Sequence, residues 1–330
     1  LSKKIIQKAL QDKKLSEKEI KELFNIPVFS KESSRLLWAA RKKSEKVSKG
    51  FAEVHAQIGL NITPCPKNCG FCSFAAQNNV FTKSFEVPID DAIGLARQFE
   101  ADKANAIYLM TTANYPFKLF IETSKEIRRH LKKETVLVAN IGDFTLEQAQ
   151  ELKTTGFSGI YHAVRLKEGK DTRIKIKTRL RTISNAQEAG LLIGTCVEPV
   201  GTEHSVDELV EKTIITRDIK PVYSGAARRI PIPNTTLAKY HMISEAKMAM
   251  ILAAVRLALE GDIKGNCTHE PNVLGAYAGA NLLWAEVGSN PRDVIQNTEK
   301  KRGMSVPECI TIFREAGWNV LKGPSKLYTA

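Results

Sequence analysis

The chain has 330 residues, 43% hydrophobic and 26% charged, with 49 Lys and Arg against 36 Asp and Glu and a formal net charge of +13. That length holds one large core or two ordinary domains, and the composition excludes a small disulfide scaffold. The positive excess favours anionic partners: nucleic acid, a phosphorylated metabolite or an acidic carrier protein.

The opening segment, LSKKIIQKALQDKKLSEKEIK, is charged and amphipathic and lacks the uninterrupted apolar stretch of a signal peptide. No apolar run approaches the roughly 20 residues that cross a bilayer. These features place the chain in the cytoplasm, away from membranes. Much of the basic excess lies in residues 1–50 and in KEGKDTRIKIKTRLR, residues 167–181, where the simplest role is a solvated face.

Short β-rich runs then recur: EVHAQIGLNI (53–62), NAIYLM (105–110), TVLVAN (135–140), FSGIYHAV (157–164), LLIGTCVEPV (191–200) and IKPVYSGAA (219–227). Helical patterns lie between them. In VPIDDAIGLARQFEA, Ile89, Ile93 and Ala96 share a stripe with Ala92 and Phe99. Thr145 with Gln148 and Ser205 with Glu208 read as capping boxes. Strand–helix units in series imply a parallel sheet covered by helices, doubly wound or closed into a barrel, with chemistry in the loops after the strands.

Cys65, Cys69 and Cys72, in TPCPKNCGFCSFAAQ, follow the first strand directly. In a reducing compartment closely spaced cysteines are metal ligands more often than disulfide partners. A structural zinc site wants four ligands, and this stretch offers three with no further Cys or His nearby. An iron–sulfur cluster on three thiolates keeps one iron open for a small molecule, and Gly70 lets the loop turn tightly around it.

The spacing CxxxCxxC, with Phe71 before the last cysteine and the motif after the first strand, resembles the signature of radical S-adenosylmethionine (SAM) enzymes. That resemblance implies a [4Fe-4S] cluster on Cys65, Cys69 and Cys72 whose open iron chelates SAM. It further implies reductive cleavage to methionine and a 5′-deoxyadenosyl radical, and hydrogen abstraction from the substrate. Reduced ferredoxin or flavodoxin is the implied electron donor.

Within the superfamily the chain resembles the biotin synthase-like branch over most of residues 35–325. The likeness is carried by MTTANYPF (110–117), RLRTISNAQEAGL (179–191), AAVRLA (253–258) and AGANLLWAEVGSNPRD (278–293). It implies a full or nearly full (βα) TIM-type barrel over 51–290, an N-terminal helical extension over 1–50 and a C-terminal extension over 291–330 packed on the barrel. Two departures separate the chain from biotin synthase proper. YHAVRLKEGKDT (161–172) stands where that enzyme has its Asn-His-Asn-Leu-Asp/Glu-Thr signature, and the second- and third-strand cysteines of its sacrificial cluster are missing.

Residues implied to contact SAM are Phe71, Thr111, Thr112, Asn140, His162, Arg165, Glu168, Arg179 and Glu198. A guanidinium fork suits the methionine carboxylate, which makes Arg165, Arg179 or Arg181 its partner. Arg228 and Arg229 follow the sixth strand and face an anionic substrate, together with Asn281; a buried arginine there requires a carboxylate partner. His269 and Glu270 form a candidate acid–base pair. Glu203 and His204 precede a helix start, where capping and solvent contact are the simplest roles.

Cys196, Cys267 and Cys309 admit two readings. As small core or loop residues they have no chemistry. Brought together at the barrel mouth, they hold a second iron–sulfur cluster, with Arg256 matching the family's cluster-binding arginine. The second reading favours sulfur insertion of the biotin or lipoyl synthase type, on a small-molecule or carrier-bound substrate. The first favours radical rearrangement, fragmentation or dehydrogenation, as in methylornithine synthase or hydrogenase maturase. A zinc-stabilised nucleic-acid binder is the reading outside enzymes, and 7% aromatic residues with no recognised binding motif argue against it.

Overall fold

The computed structural model describes residues 2–298 and 303–329; Leu1, Ala330 and residues 299–302 of the expected C-terminal extension lie outside the described residues. The first three helices are α1 Ser2–Leu10, α2 Glu17–Phe24 and α3 Lys31–Val47. Ser16 caps α2 in a full capping box with Glu19, and Ser30 caps α3 by accepting from Ser33 N. Such caps satisfy amide groups that a helix start leaves unpaired, worth about 1 kcal/mol each.

Eight parallel strands then close into a barrel. They are β1 Phe51–Gly59, β2 Ala106–Met110, β3 Leu137–Asn140, β4 Phe157–Tyr161, β5 Leu192–Gly194, β6 Tyr223–Arg228, β7 Gly265–Cys267 and β8 Leu282–Gly288. Each pairs with the next, and β8 pairs with β1 in register from Glu53 opposite Leu282 to Gly59 opposite Gly288. Past β5 the chain resumes pairing with β6 through Val197–Val200.

Helices α4 Ile89–Ala101, α5 Phe117–Arg129, α6 Leu146–Thr155, α7 Ile176–Glu188, α8 Val206–Asp218, α9 Glu245–Ala258 and α10 Val273–Tyr277 connect successive strands. The capping boxes at Thr145 and Ser205 are formed, and a further one at Ser305 opens α11, Val306–Glu315. No described helix is long and apolar enough to cross a membrane.

Two-residue periodicity sorts each strand between two environments. Val54, Ala56 and Ile58 of β1 face the helices in one apolar cluster with Leu283 and Ala285 of β8. Glu53, His55 and Gln57 alternate with them and point inward, as do Trp284 and Glu286. The buried faces of α1, α2 and α3 pack with α9 in a second cluster that contains Ile6, Leu23, Leu36, Met250 and Leu257.

The interior is filled at its lower end by aromatics and by the tail. Tyr108, Tyr161, Tyr223 and Trp284 share a cluster with Leu327 and Tyr328. The tail is anchored where Ser325 Oγ donates to Glu53 Oε2 at 2.5 Å and Lys326 N donates to Glu53 Oε1 at 2.8 Å. A Cβ on Gly159 would stand 2.4 Å from the Tyr328 ring, so only glycine leaves room for it. With this end packed, the interior is accessible from the opposite rim.

Candidate active site: a thiol loop beside a polar barrel mouth

The segment after β1 crosses the C-terminal rim, and its shape is set by backbone bonds. Cys65 N donates to Phe74 O at 2.7 Å and Cys72 N to Cys69 O at 3.0 Å. Asn78 Nδ2 donates to Cys72 O at 2.8 Å and to Cys69 O at 3.3 Å, clamping the turn between the last two cysteines. Gly70 N donates to Asp171 O at 2.8 Å, while Leu237 N donates to Gly70 O at 3.0 Å. A Cβ at Gly70 would meet Leu237 Cγ at 3.2 Å, the close approach that glycine permits.

Cys65, Cys69 and Cys72 all line one cavity, together with Phe71. Burial pushes all three thiols up, Cys69 to about 11 even with the Arg165 and Arg179 guanidinium groups pulling the other way. Buried thiols of this kind give up their protons to a cation that replaces them, so loading and deprotonation are one event. Three thiols with no carboxylate or imidazole in the motif make a soft donor set that fits a [4Fe-4S] cluster with one iron left open.

The other walls carry polar side chains from the strand ends: Thr111, Thr112, Asn140, His162, Arg165, Arg179 and Glu198. Thr112 is held by Asn61, whose Oδ1 accepts from Thr112 N at 2.9 Å and whose Nδ2 donates to Thr112 Oγ1 at 3.0 Å. Arg165 is ion-paired with Glu198, which also accepts the Tyr161 hydroxyl. Arg179 is the more buried of the two arginines and is braced by Asp143 and Glu168, each at 3.4 Å. Glu168 lies behind the wall, accepting from Arg165 N at 2.9 Å and from Thr172 Oγ1 at 2.5 Å.

Electrostatics fix the protonation of the Asp143–His162 pair, joined at 3.1 Å. Burial lowers the His162 imidazole despite its bond to Asp143. Burial also pushes the Asp143 carboxyl upward, but His162, Arg179 and Thr182 outweigh it and hold the group well below the usual range. The pair is therefore a neutral imidazole on a carboxylate near neutral pH.

Arg228 and Arg229 line the far wall, and both have carboxylate partners: Arg228 pairs with Glu270 and Glu245, and Arg229 with Glu203. Glu203, expected only at a helix start, thus closes an ion pair. Glu270, engaged by Arg228, is not joined to His269, whose ring points inward against Trp284. The expected acid–base pair is split, because in the bend after β7 the two neighbouring side chains turn to different partners.

Three further expectations are corrected. Cys309 lies on α11 in the cluster outside the barrel, its Sγ 3.4 Å from Trp284 O, and does not join Cys196 and Cys267 inside. Arg256 lies on α9 with Nη1 on Ile263 O at 2.6 Å, amid charges from Asp12 and Asp262, away from the barrel interior. Asn281 precedes β8 at the lower end, where it accepts from Asn266 N at 2.7 Å and donates to Lys264 O at 3.2 Å. It is a strand-end brace and does not line the cavity. Arg181 is exposed on α7.

The cavity also contains residues the sequence reading passed over. Asn140 Nδ2 donates to Gln57 Oε1 at 2.7 Å, Gln57 Nε2 donates to Glu286 Oε1 at 3.3 Å, and Glu286 accepts from Asn290 at 3.0 Å and from Arg292. Burial raises the Glu286 carboxyl despite Arg292 beside it. The signal was present: Glu53, His55 and Gln57 at period two in an otherwise apolar strand mark a polar inner face.

A closed parallel barrel with three thiols on its first rim loop, and a polar cavity beside them, has the donor set and access that a cluster-dependent barrel enzyme needs. No protein-family model matches the chain. It is similar to the biotin synthase of Heliobacterium modesticaldum, 24% identical over 302 residues that cover 86% of this chain and 88% of that protein. A match to the biotin synthase of Clostridium tetani is 25% identical over 176 residues, 50% of this chain and 53% of that protein. The FeFe-hydrogenase maturase HydG from Carboxydothermus hydrogenoformans superposes with a TM-score of 0.80 at 20% identity, covering 99% of this chain and 80% of that one. Methylornithine synthase (PylB) superposes with a TM-score of 0.80 at 14% identity, covering 98% of each chain. The two superpositions show a shared fold. These likenesses are to the biotin synthase-like branch of radical SAM enzymes, the branch that the cysteine spacing resembles.

Proposed function

We propose that the protein binds a [4Fe-4S] cluster on Cys65, Cys69 and Cys72, cleaves SAM reductively, and directs the 5′-deoxyadenosyl radical at a C–H bond of a small or carrier-bound substrate in the barrel mouth. The supporting observation is that the three thiols form one wall of a cavity whose other walls carry cation, carboxylate and amide groups. When bound, such a cluster supplies one electron to SAM through its open iron.

The chain's own groups account for orientation. Arg165, paired with Glu198 and the more exposed of the two wall arginines, is the partner for the methionine carboxylate, whereas Arg179 is committed to Asp143 and Glu168. Thr111, Thr112 and Asn140 supply amide and hydroxyl contacts for the amino group and ribose. Phe71, Met110 and Ile230 line the same cavity and exclude water from the path of a radical. Arg228 and Arg229 stand at the substrate end. A reduced ferredoxin or flavodoxin is the proposed electron donor, and six free cysteines suit a reducing cytoplasm.

Sulfur insertion of the biotin synthase type is the first reading of the reaction, supported by the curated relatives and by the paired thiols Cys196 and Cys267. Rearrangement or fragmentation without sulfur transfer is the second, favoured by the departure of Cys309 and Arg256 from that pair. The test is anaerobic reconstitution with iron and sulfide, reduction, and quantification of methionine and 5′-deoxyadenosine. Cys69→Ala should lose the brown chromophore and both products while staying folded; wild-type product levels from that variant would overturn the assignment.

A further inference from the structure

Beneath the cavity lies a layer whose chemistry the site above does not use. Cys196, in the break between β5 and the segment Val197–Val200, and Cys267, at the end of β7, are fully buried in the barrel interior on either side of β6. Opposite Cys267, β6 carries Gly225, which has no side chain to separate the thiols. Their sulfurs stand 3.8 Å apart. His269, two residues beyond Cys267, stacks on Trp284 with ring centroids 5.0 Å apart and 15° between planes. One of its ring nitrogens and both sulfurs all lie within 4.8 Å of one another. His269 Nε2 is buried without a hydrogen-bond partner among the described residues, 3.6 Å from Glu198 Oε2.

Packing explains two small thiols in a core. It does not explain an imidazole buried against them with a nitrogen unpaired, which costs about 1–3 kcal/mol unless something satisfies it. A single ion does so. Two thiolates on a tetrahedral centre with metal–sulfur bonds of about 2.3 Å stand about 3.8 Å apart, the separation that the two cysteines already have.

We propose that Cys196, Cys267 and His269 form a Cys2His site for one divalent cation of the zinc or ferrous type, at the cavity floor where His269 reaches the lining, and separate from the loop thiols. Two thiolates and an imidazole are a donor set for such ions. Three protein ligands leave one position for a further donor, either Glu198 or a thiol or carboxylate of the substrate.

The test uses the full chain with Cys65, Cys69 and Cys72 all replaced by serine, so the result does not depend on the loop thiols or on the function proposed above. Anaerobic titration of this protein with Co2+ should give one ion per chain with the visible absorption of tetrahedral, thiolate-ligated cobalt. After displacement by Zn2+, X-ray absorption at the zinc edge should fit two sulfurs at about 2.3 Å and lighter donors at about 2.0–2.1 Å. His269→Gln, which keeps a polar side chain of similar reach, should weaken Co2+ binding by about tenfold or more with circular dichroism unchanged. Cys309→Ala should leave binding intact. Absence of the thiolate band, a sulfur count other than two, or cobalt affinity unmoved by His269→Gln overturns the proposal. Iron–iron scattering in an iron-loaded sample also overturns it, in favour of a polynuclear cluster.

Discussion

The Tyr108 hydroxyl donates to the Tyr328 hydroxyl at 3.1 Å, joining the second barrel strand to a residue 220 positions later. With Ser325 and Lys326 on Glu53, the bond makes the tail part of the core rather than a trailing end. Tyr328→Ala should therefore cost about 3–5 kcal/mol, the usual range for emptying an aromatic site. Tyr328→Phe should cost only about 1 kcal/mol, the hydroxyl's share. Urea midpoints for the two variants check the difference; equal midpoints would show that the ring does not fill the barrel.

Lys212 points into the fold from α8, and its Nζ has no hydrogen-bond partner among the described residues. Burial, with Arg165 adding to it, holds its ammonium down to about 7. The unfolded chain keeps that proton up to about 10.4, so between the two values unfolding takes up protons and stability rises with pH. Below about 7 the destabilisation is complete. Lys212→Met should stabilise the protein at pH 7 by about 2 kcal/mol and lose that advantage by pH 10. A loss of stability at pH 7, measured by denaturant unfolding, would show that the charge is compensated.

Much of this architecture was legible because the code is local. The capping boxes at Thr145 and Ser205 are three-residue patterns, and six of the strands announced themselves as β-rich runs between helices. The closing strands did not. β7 is only Gly265–Cys267 and reads as a polar loop, and β8, buried on both faces, has no clean alternation to betray it. The thiol loop was legible as spacing. The inner layer was not, because Cys196 and His269 are brought together by barrel closure, while Cys309 sits on a helix whose stripe faces the outside of β1 and β8.

Arg165→Ala should weaken SAM binding by about tenfold to a hundredfold, equivalent to about 1.5–3 kcal/mol for a hydrogen bond to a charged group, with iron content unchanged. Arg165→Lys should recover part of the loss, since an ammonium restores charge but not the fork. Equilibrium dialysis on the anaerobically loaded protein measures both. Unchanged affinity in Arg165→Ala would move the carboxylate to another partner.

Asn78→Ala removes both bonds to the carbonyls of Cys69 and Cys72 and leaves Thr236 without its acceptor. Iron should then be stripped by a chelator several-fold faster than from wild type, while the global unfolding midpoint moves by no more than about 1–2 kcal/mol. Equal stripping rates would mean that the backbone bonds hold the loop unaided.

The bonds from Thr236 to Asn78 and from Leu237 to Gly70 lie between two loops that leave different strands, one bearing the thiols and one beyond Arg228 and Arg229. The octapeptide CPKNCGFC is therefore not a portable cassette. Transplanted alone into another barrel, it would arrive without the scaffold that holds its turn, and an engineer would have to carry the loop around Thr236 and Leu237 along with it.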